Sequence, residues 1–471
     1  MQIRTLQKLQ KQIVALSLFA VSTCPVYADS LSSHELKAVE IFRELIEINT
    51  TQSVGDNTKA AQAMADRLLN AGFPKGDIHV VIPAPNKGNL VARLRSPAPT
   101  AKPILFLAHI DVVEANPADW TVDPFTFLER EGYFYGRGTL DDKDEAAIAV
   151  ANLIKLFKEG YRPNRDIIIA LTADEEGGPV NGVQHLLAEH RELVDAEFVI
   201  NEGGGGGIFS GKPLINSVQA AEKVYQSYTL EVTNIGGHSS LPRKDNAIYE
   251  LMEALTAIQQ HDFPVQLNEV TRAYFRQSAQ TLPTEQSDAM NQLLADPTNS
   301  SAVATLAREP SFNARMRNTC VATQLDAGHA ENALPQRAQA TVNCRILPGV
   351  DPASVHAKLA NVINNPGVSI TPVKPPNISP PSPLTEEIMA PILAITENLW
   401  PGVTVVPVMS TGATDGLFFR QAGIPVYGVA GIMVDVTDIR AHGRDERIRV
   451  QSFFEGLAFQ EALMRAYTGD K

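Results

Sequence analysis

The chain has 471 residues, of which 44% are apolar, and a formal net charge of -13. This length and apolar content suffice for one large globular domain or two ordinary ones. So strong an excess of acidic residues argues against a nucleic-acid partner and against binding to an anionic membrane surface.

The amino terminus has the features of a secretory signal peptide. Three cations precede the apolar stretch IVALSLFAV, and VYA places small residues where a signal peptidase cuts. We therefore expect residues 1–28 to be removed, the mature chain to begin near Asp29, and the protein to be secreted or periplasmic. The apolar stretch is too short for a membrane anchor, which needs ~20 residues. Cys24 leaves a lipoprotein as an alternative, although Thr23 is an unusual neighbour for lipidation.

Helical and strand-like segments alternate along the first part of the mature chain. Apolar residues recur at helical spacing from His34 and again from Thr58, and the strand-like segments NLVARLRS and ILFLAHID follow. Next come a helix in DEAAIAVANLIKLFKEG, a strand in IIIALTADEE, a helix in GVQHLLAEHRELV and a strand in FVINE. This alternation predicts an α/β fold with a doubly wound, mostly parallel sheet.

From about Val224 the pattern changes to that of an α+β domain. The predicted order of strand, helix, two strands, helix and strand is that of a ferredoxin-like domain inserted into the first. The proline-rich stretch VKPPNISPPSPL looks like the return linker, after which the α/β alternation resumes. We therefore predict a catalytic domain over 29–222 and 379–471, with the inserted domain over 223–378.

Two cysteines, Cys320 and Cys344, remain after removal of the signal peptide. They lie on the predicted strands TCVATQLDAG and AQATVNCRILPG, which flank a turn near Asn332. In an oxidising compartment the two thiols could form a disulfide, and two free thiols are the alternative that the sequence leaves open.

Residue types that bind hydrolytic metal ions stand at the ends of the apolar runs. The carboxyl ends of parallel strands open onto the crevice where ligands bind, so donors from distant positions can converge there. His109 and Asp111 are two apart on a strand and point to the same face, so Asp111 can support His109 as a ligand. The full set of candidate donors is His109, Asp111, Asp141, Asp142, Glu175, Glu176, Glu202 and His442.

Each of these segments has a simpler interpretation when it is taken alone. A single histidine at a strand end is more often structural, and glutamate pairs are usually solvated surface residues. Asp141 and Asp142 could cap a helix. The coincidence of five such segments at one predicted sheet edge favours a metal site.

Together these segments resemble a known enzyme family. AHID, YGRGTLDDK, TADEEGG, NEGGGGG and AHGRDE are similar to motifs of the co-catalytic zinc exopeptidases, numbered metallopeptidase family twenty. The family includes glutamate carboxypeptidase, aminoacylase, carnosinase-type dipeptidases and succinyl-diaminopimelate desuccinylase. The similarity covers nearly the whole mature chain in order, and it includes GGHSS, ENALP and CRILPG of the inserted domain.

The resemblance implies two Zn²⁺ ions per chain, with Co²⁺ or Mn²⁺ as possible replacements. One ion would be held by His109, Asp141 and Glu202. The other would be held by Asp141, Glu176 and His442, so that the Asp141 carboxylate bridges the two ions.

The resemblance also assigns roles in the reaction. Glu175 would be the general base that takes a proton from a metal-activated water and passes it to the leaving amine. Asp111 would support the histidine ligand next to it. The family has a cis peptide bond after its bridging aspartate, which we expect here between Asp141 and Asp142.

The substrate-binding residues implied by the resemblance lie mainly in the inserted domain, which would serve as a lid and as the interface of a homodimer. His238 would reach the active site of the partner subunit and stabilise the tetrahedral oxyanion. Arg345, with Asn332, would form a clamp for a substrate carboxylate, which suits the planar guanidinium. Gly412, in STGATDG, would line the substrate end.

Other classes of protein fit the sequence less well. GGIFSGK has the spacing of a phosphate-binding loop, but Pro213 replaces the hydroxyl residue that binds magnesium. GHSSL lacks the closing glycine of a serine-hydrolase elbow, and a non-catalytic binding protein would be expected to have lost metal donors. We therefore predict a zinc hydrolase of peptides or N-acyl amino acids that cleaves an amide bond next to a free carboxylate, with an aminopeptidase as the alternative.

Overall fold

The computed structural model describes residues 31–469, so the predicted signal peptide lies outside the described residues. Helices and strands alternate through the first part of the chain as predicted. Up to residue 222 they are α1 (Ser33–Glu47), α2 (Asn57–Ala71), β1 (Ile78–Val81), β2 (Asn89–Leu94), β3 (Ile104–His109), β4 (Leu128–Arg130), β5 (Tyr133–Tyr135), α3 (Lys143–Lys158), β6 (Ile167–Thr172), α4 (Gly182–Glu189), α5 (Arg191–Val194), β7 (Phe198–Asn201), β8 (Gly206–Phe209) and β9 (Lys212–Glu222).

Two further groups of elements follow. The middle part contains β10 (Val224–Thr233), β11 (Gly237–His238), α6 (Ala247–Gln259), α7 (Glu269–Ser278), α8 (Thr284–Ala295), α9 (Ser300–Leu306), α10 (Pro310–Met316), β12 (Thr319–Ala327), β13 (Ala333–Leu334), β14 (Arg337–Ile346), α11 (Pro352–Ile363) and β15 (Val368–Pro372). The last part contains α12 (Glu386–Leu399), β16 (Thr404–Ser410), α13 (Gly416–Gln421), β17 (Val426–Gly428), β18 (Met433–Asp435), β19 (Arg447–Arg449) and α14 (Val450–Thr468).

Local signals in the sequence set the ends of the first helices. The Ser32 side chain accepts a hydrogen bond from the backbone of Glu35, whose own side chain accepts from the backbone of Ser32, so α1 begins with a reciprocal cap. Helix α2 begins after Asp56, which accepts from the backbone of Lys59, and ends at Gly72 in the left-handed conformation (φ 104°).

The large sheet has ten strands in the order β1-β2-β6-β3-β7-β17-β9-β8-β18, with β16 beside β9. Its central strands β6, β3, β7 and β17 run parallel to one another. Strands β1 and β2 are antiparallel at one edge, and β9 runs antiparallel to both β17 and β8. The parallel centre places the carboxyl ends of β3, β6 and β7 side by side.

Helices cover both faces of this sheet. Along β3, Ile104, Phe106 and Ala108 belong to one apolar core, whereas Leu105 and Leu107 belong to another. The split arises because successive side chains of a strand point to opposite faces. The first core includes residues of α1, α2, α3, α12 and α14, and the second includes residues of α4 and α13. The predicted doubly wound α/β fold is confirmed.

The middle of the chain forms a second sheet with the order β12-β14-β10-β15, in which all neighbours are antiparallel. Helices α6 and α11 contact each other, α6 packs on β10 and β14, and α11 contacts β15. This is the ferredoxin-like arrangement, and its prediction is confirmed. The sheet occupies residues 224–372, inside the predicted insertion; the exact domain boundaries stay a prediction.

Four helices between α6 and β12 have no counterpart in the predicted ferredoxin-like unit. Helices α7 to α10 enclose a small core of their own that includes Phe275, Met290 and Leu306. Helix α7 also contacts β16, and its Val270 belongs to the main core of the large sheet. These helices therefore connect the insertion to the catalytic domain.

Cys320 and Cys344 lie opposite each other in the register of β12 and β14, with their Cα atoms 4.0 Å apart. They form a disulfide, which decides between the two alternatives that the sequence left open. The predicted pair of strands around Asn332 is also confirmed.

The segment GGIFSGK forms a hairpin and not a phosphate-binding loop. Strands β8 and β9 pair in antiparallel fashion, and the turn residues Ser210 and Gly211 both have positive φ (50° and 75°). This is the conformation of a two-residue hairpin turn. Between residues 31 and 469, no helix combines the length and apolar character required to cross a membrane.

Candidate metal centre

The candidate donors meet at the carboxyl ends of the central strands. His109 is the last residue of β3, Glu175 and Glu176 follow β6, and Glu202 follows β7. The parallel course of these strands brings their ends to one edge of the sheet, as the sequence predicts. Asp141 reaches the same place from the loop between β5 and α3.

Asp141 lies between the two histidines. Its Oδ1 atom is 3.0 Å from Nε2 of His109, and its Oδ2 atom is 3.0 Å from Nε2 of His442. Each carboxylate oxygen thus faces a different imidazole, which is the disposition expected of a carboxylate shared by two cations. The peptide bond from Asp141 to Asp142 is cis, as the family resemblance implied.

Glu176 completes a cluster of potential metal ligands. Its Oε1 atom is 2.9 Å from Nε2 of His442. One ligand atom from each of His109, Asp141 and Glu176 lies within 4.8 Å of the others. Glu202, which follows the neighbouring strand β7, lies at the same edge of the sheet but is not a member of this cluster.

Asp111 supports the cluster in a different way from a simple carboxylate–imidazole bond. Nδ1 of His109 is 3.0 Å from the backbone oxygen of Asp111 but 3.7 Å from its Oδ1. The Asp111 carboxylate instead accepts hydrogen bonds from the backbone N–H groups of Glu175 and Glu176, at 3.1 and 3.0 Å. One residue therefore orients the histidine and holds both glutamates in place.

The site concentrates acidic groups that are removed from solvent. Burial, reinforced by neighbouring carboxylates, raises the pKa of Glu175 to about 10 and that of Glu202 to about 8. The hydrogen bond to Asp141 raises the pKa of His442 to about 9. Ionised carboxylates that are buried together repel one another, so the site favours a positive charge between them.

Several residues hold the site through contacts that the sequence did not indicate. Asp142 accepts a hydrogen bond from the backbone N–H of His109 at 3.0 Å. Lys87 and Asp174 form a buried ion pair of 2.5 Å at the start of the turn that carries the two glutamates. Asp142 and Asp174 stand inside the quoted motifs, whereas nothing near Lys87 in the sequence identifies it.

Arg345 lies at the junction between the two sheets. Its Nη1 atom donates to the backbone oxygen of Thr411, beside Gly412, at 3.3 Å, and its guanidinium carbon lies 4.6 Å from the centre of the Tyr225 ring. Gly412 belongs to the loop that follows β16, and its N–H donates to Ser410 Oγ at 3.0 Å. Arg345 and the loop of Gly412 therefore lie side by side, and their roles in binding substrate stay predictions.

A cavity of about 320 Å3 adjoins this junction. It is bounded by Tyr225, by residues next to Gly412, and by both segments that connect the insertion to the catalytic domain. The lining residues include Lys223, Tyr225, Val373, Pro375, Ala413 and Leu417.

His238 and Asn332 lie together at the opposite end of the inserted sheet. Strand β11 pairs with β13, and the Ser239 N–H donates to the backbone oxygen of Asn332 at 3.1 Å. The pair of strands β11 and β13 lies beyond Arg337, the residue at which β14 begins. Arg345 lies eight residues further along β14, and eight residues of strand span about 27 Å at ~3.4 Å per residue. Within one chain, the predicted clamp of Arg345 with Asn332 is therefore not formed.

The His238 ring is held by its neighbour. Both the backbone N–H and the hydroxyl of Ser240 contact Nδ1 of His238, at 3.2 and 2.8 Å. Because a backbone N–H can only donate, Nδ1 is the acceptor and a neutral ring carries its proton on Nε2. His238 therefore presents an exposed N–H donor at the tip of the insertion.

Comparisons with known proteins agree with the fold and identify the family. A family model described as Peptidase family M20/M25/M40 matches residues 105–466. The human N-fatty-acyl-amino acid synthase/hydrolase PM20D1 is 32% identical over 371 residues, which cover 77% of this chain and 73% of that protein. Probable carboxypeptidase S-like 2 of Dictyostelium discoideum is 28% identical over 461 residues, which cover 94% and 87%.

Among solved structures, the M20 family metallo-carboxypeptidase Sso-CP2 from Sulfolobus solfataricus has the same fold. The TM-score is 0.66 at 18% identity, with 92% of this chain and 99% of that chain covered. The family model spans most of the chain, including the strands that deliver His109, Glu176 and Glu202 and the loop of His442. The chain therefore belongs to peptidase family M20/M25/M40 and is a hydrolytic enzyme.

Proposed function

We propose that this enzyme uses two zinc ions to hydrolyse a peptide or N-acyl amide bond next to a free carboxylate. The observation that carries the proposal is the position of Asp141, whose two oxygens each lie 3.0 Å from a different histidine. A single carboxylate between two imidazoles supports a pair of cations that share this residue.

The chemistry of the donor set fits zinc. Imidazole nitrogens and carboxylate oxygens are ligands that Zn²⁺ accepts, although Co²⁺ and Mn²⁺ accept them as well. His109, Asp141 and Glu202 would hold one ion, and Asp141, Glu176 and His442 the other. The crowding of buried carboxylates favours divalent cations, because each ion would offset the repulsion between its neighbours.

The roles of the remaining site residues follow from their surroundings. Bound zinc would supply a water of lowered pKa and would polarise the scissile carbonyl. Glu175 would carry the proton from that water to the leaving amine, and its shielding from solvent suits a carboxyl group that must take up and release a proton. The Asp111 carboxylate would fix the backbone of Glu175 and Glu176 by accepting hydrogen bonds from their N–H groups.

Arg345 is the group we propose for recognition of the substrate carboxylate. In the described chain, two of its hydrogen bonds use Nε and Nη1, to Asn343 at 3.2 Å and to Thr411 at 3.3 Å. A guanidinium has five N–H donors, so others remain for a carboxylate. The adjoining cavity could receive the side chain next to that carboxylate.

We also propose that the enzyme is a homodimer that joins through the insertion. His238 and Asn332 lie at the tip of the insertion, far from the junction at Arg345, so they would serve the active site of a second subunit. The outer strand β12 supports this arrangement, because it is an exposed sheet edge that carries Val321 and Leu325 at 60% and 65% exposure.

A secreted or periplasmic location completes the proposal. It rests on the predicted signal peptide over 1–28 and is supported by the disulfide between Cys320 and Cys344, since disulfides persist in oxidising compartments.

The names of the relatives define the substrates to test. One relative is named as an N-fatty-acyl-amino acid synthase/hydrolase and another as a probable carboxypeptidase S-like protein, and the similar solved structure is named as a metallo-carboxypeptidase. We therefore expect substrates whose cleaved bond is followed by an amino acid with a free carboxylate.

A panel of dipeptides, N-acyl amino acids and their C-terminal amides tests the proposal. We expect cleavage of the free acids, loss of activity with a chelator, and recovery on addition of zinc. Full activity after complete removal of metal would reject the mechanism. Equal cleavage of the amides would reject carboxylate recognition and indicate an aminopeptidase.

A further inference from the structure

The loops that carry Asp141 and His442 are joined to the same pair of strands. Strand β5 leads into the Asp141 loop, and β19 follows the His442 loop, and these two strands pair in antiparallel fashion. The N–H of Gly136 donates to the backbone oxygen of Glu446 at 3.1 Å, directly beyond this pairing. The two loops are therefore neighbours, although about 300 residues separate them in the sequence.

Glu446 holds the backbone of the Asp141 loop. Its Oε1 atom accepts hydrogen bonds from the N–H groups of Gly138 at 3.1 Å and Leu140 at 2.8 Å. Leu140 directly precedes Asp141. The Glu446 side chain has no exposure to solvent, and its Oε2 atom pairs with Nη1 of Arg137 at 2.5 Å.

Arg137 holds the backbone of the His442 loop. Its Nη2 atom donates to the carbonyl oxygens of Gly443 at 3.0 Å and His442 at 3.4 Å. His442 and Asp445 have positive φ angles of 61° and 52°, which residues with side chains rarely adopt. This loop therefore depends on contacts such as those of Arg137 to keep its shape.

His442 needs this support more than the other proposed ligands do. Its side chain is 56% exposed, whereas that of His109 is 2% exposed and that of Glu176 is 11% exposed. His109 stands at the end of a central strand, so the sheet itself fixes it. The position of His442 relative to Asp141 is set by the contacts between their loops.

A buried ion pair is a weak source of stability, because the desolvation of its charges offsets their attraction. We propose that the buried Arg137–Glu446 ion pair instead positions Asp141 and His442 relative to each other, and so sets the affinity of the metal ion that these two residues share. Arg137 and Glu446 are positioning residues, and they touch neither the proposed metal ions nor the substrate. This inference rests on the proposed dinuclear zinc site.

The test measures zinc bound per chain by elemental analysis after dialysis against increasing concentrations of a chelator. Glu446→Gln removes the charge and retains one acceptor oxygen, and Arg137→Lys keeps the charge but loses the planar fork. We expect each variant to release one of its two zinc ions at a chelator concentration at least about tenfold lower than the wild type, because supporting contacts of this kind typically contribute that much to metal affinity. The second ion also uses Asp141, but its other ligands, His109 and Glu202, lie at strand ends, so its release should shift less than that of the ion held by His442.

Arg165→Lys is the matched control. Arg165 forms an ion pair with Glu197, and these residues precede β6 and β7, at the end of the sheet opposite the site. We expect this variant to retain both zinc ions like the wild type. A similar loss in the control would mean that any weakened ion pair loosens the metal site, which would overturn the proposal.

Retention of both ions with wild-type affinity in Glu446→Gln and Arg137→Lys would also overturn it. If the first variant fails to fold, as shown by its circular dichroism, Arg137→Lys alone decides the outcome. A wild-type protein that binds fewer than two zinc ions would overturn the dinuclear site itself, so the two failures are distinguishable.

Discussion

Replacement of Arg345 by methionine tests carboxylate recognition directly. The guanidinium is half-buried and is held by Asn343, Thr411 and the Tyr225 ring, so its remaining donors are oriented before the substrate arrives. A hydrogen bond to a charged group contributes ~1.5–3 kcal/mol. Because 1.36 kcal/mol corresponds to a factor of about ten, we expect kcat/KM for a free-acid substrate to fall by roughly 10- to 150-fold.

The assay compares each free-acid substrate with its C-terminal amide in steady-state kinetics. The loss should appear mainly in KM, because the carboxylate is bound equally in the ground state and the transition state. The amide, which offers no charge to Arg345, should change little. Arg308→Met, at an exposed site in the insertion, is the control and should behave like the wild type. An equal loss for acid and amide would refute the reasoning, since it would show that Arg345 supports the fold of the site and not the carboxylate.

Three further predictions follow from the proposed site and from the insertion. Glu175→Gln should lower kcat by ~10²- to 10⁴-fold while zinc content stays at two per chain, and wild-type turnover would remove Glu175 from its role. Replacement of Cys320 and Cys344 by serine should lower the free energy of unfolding by about 3.5 kcal/mol, measured with denaturant, because the bond closes a loop across a separation of 24 residues. Leu325→Lys, on the exposed edge strand, should convert a dimer to monomers in sedimentation and reduce activity through loss of His238 from the partner site. A monomeric wild type, or a variant that remains dimeric, would contradict the proposed interface.

The fold class could be predicted because it depends on local patterns. Unbroken apolar runs such as ILFLAHID mark strands that are buried on both faces, and alternating apolar residues mark the strands of the insertion. The order of these elements then indicated both domains. Helices α7 to α10 were not predicted, because their buried faces are completed by one another and by β16.

The candidate metal ligands could also be predicted, because the parallel topology delivers strand ends to one edge. His109 ends such a strand, and Glu176 and Glu202 follow two others. The separation of Arg345 from Asn332 could not be predicted, since it depends on the length and direction of β14 between them.

The sequence by itself determined the class of fold, the set of candidate ligands and the kind of chemistry that such ligands support. The tertiary structure alone decided that Asp141 faces two histidines, that the two cysteines are joined, and that Arg137 and Glu446 connect loops far apart in the chain. The physical reason is the range of the interactions. Hydrophobic periodicity depends on residues that are neighbours in the sequence. The pairing of buried charges depends on which distant loops the packed sheet brings together.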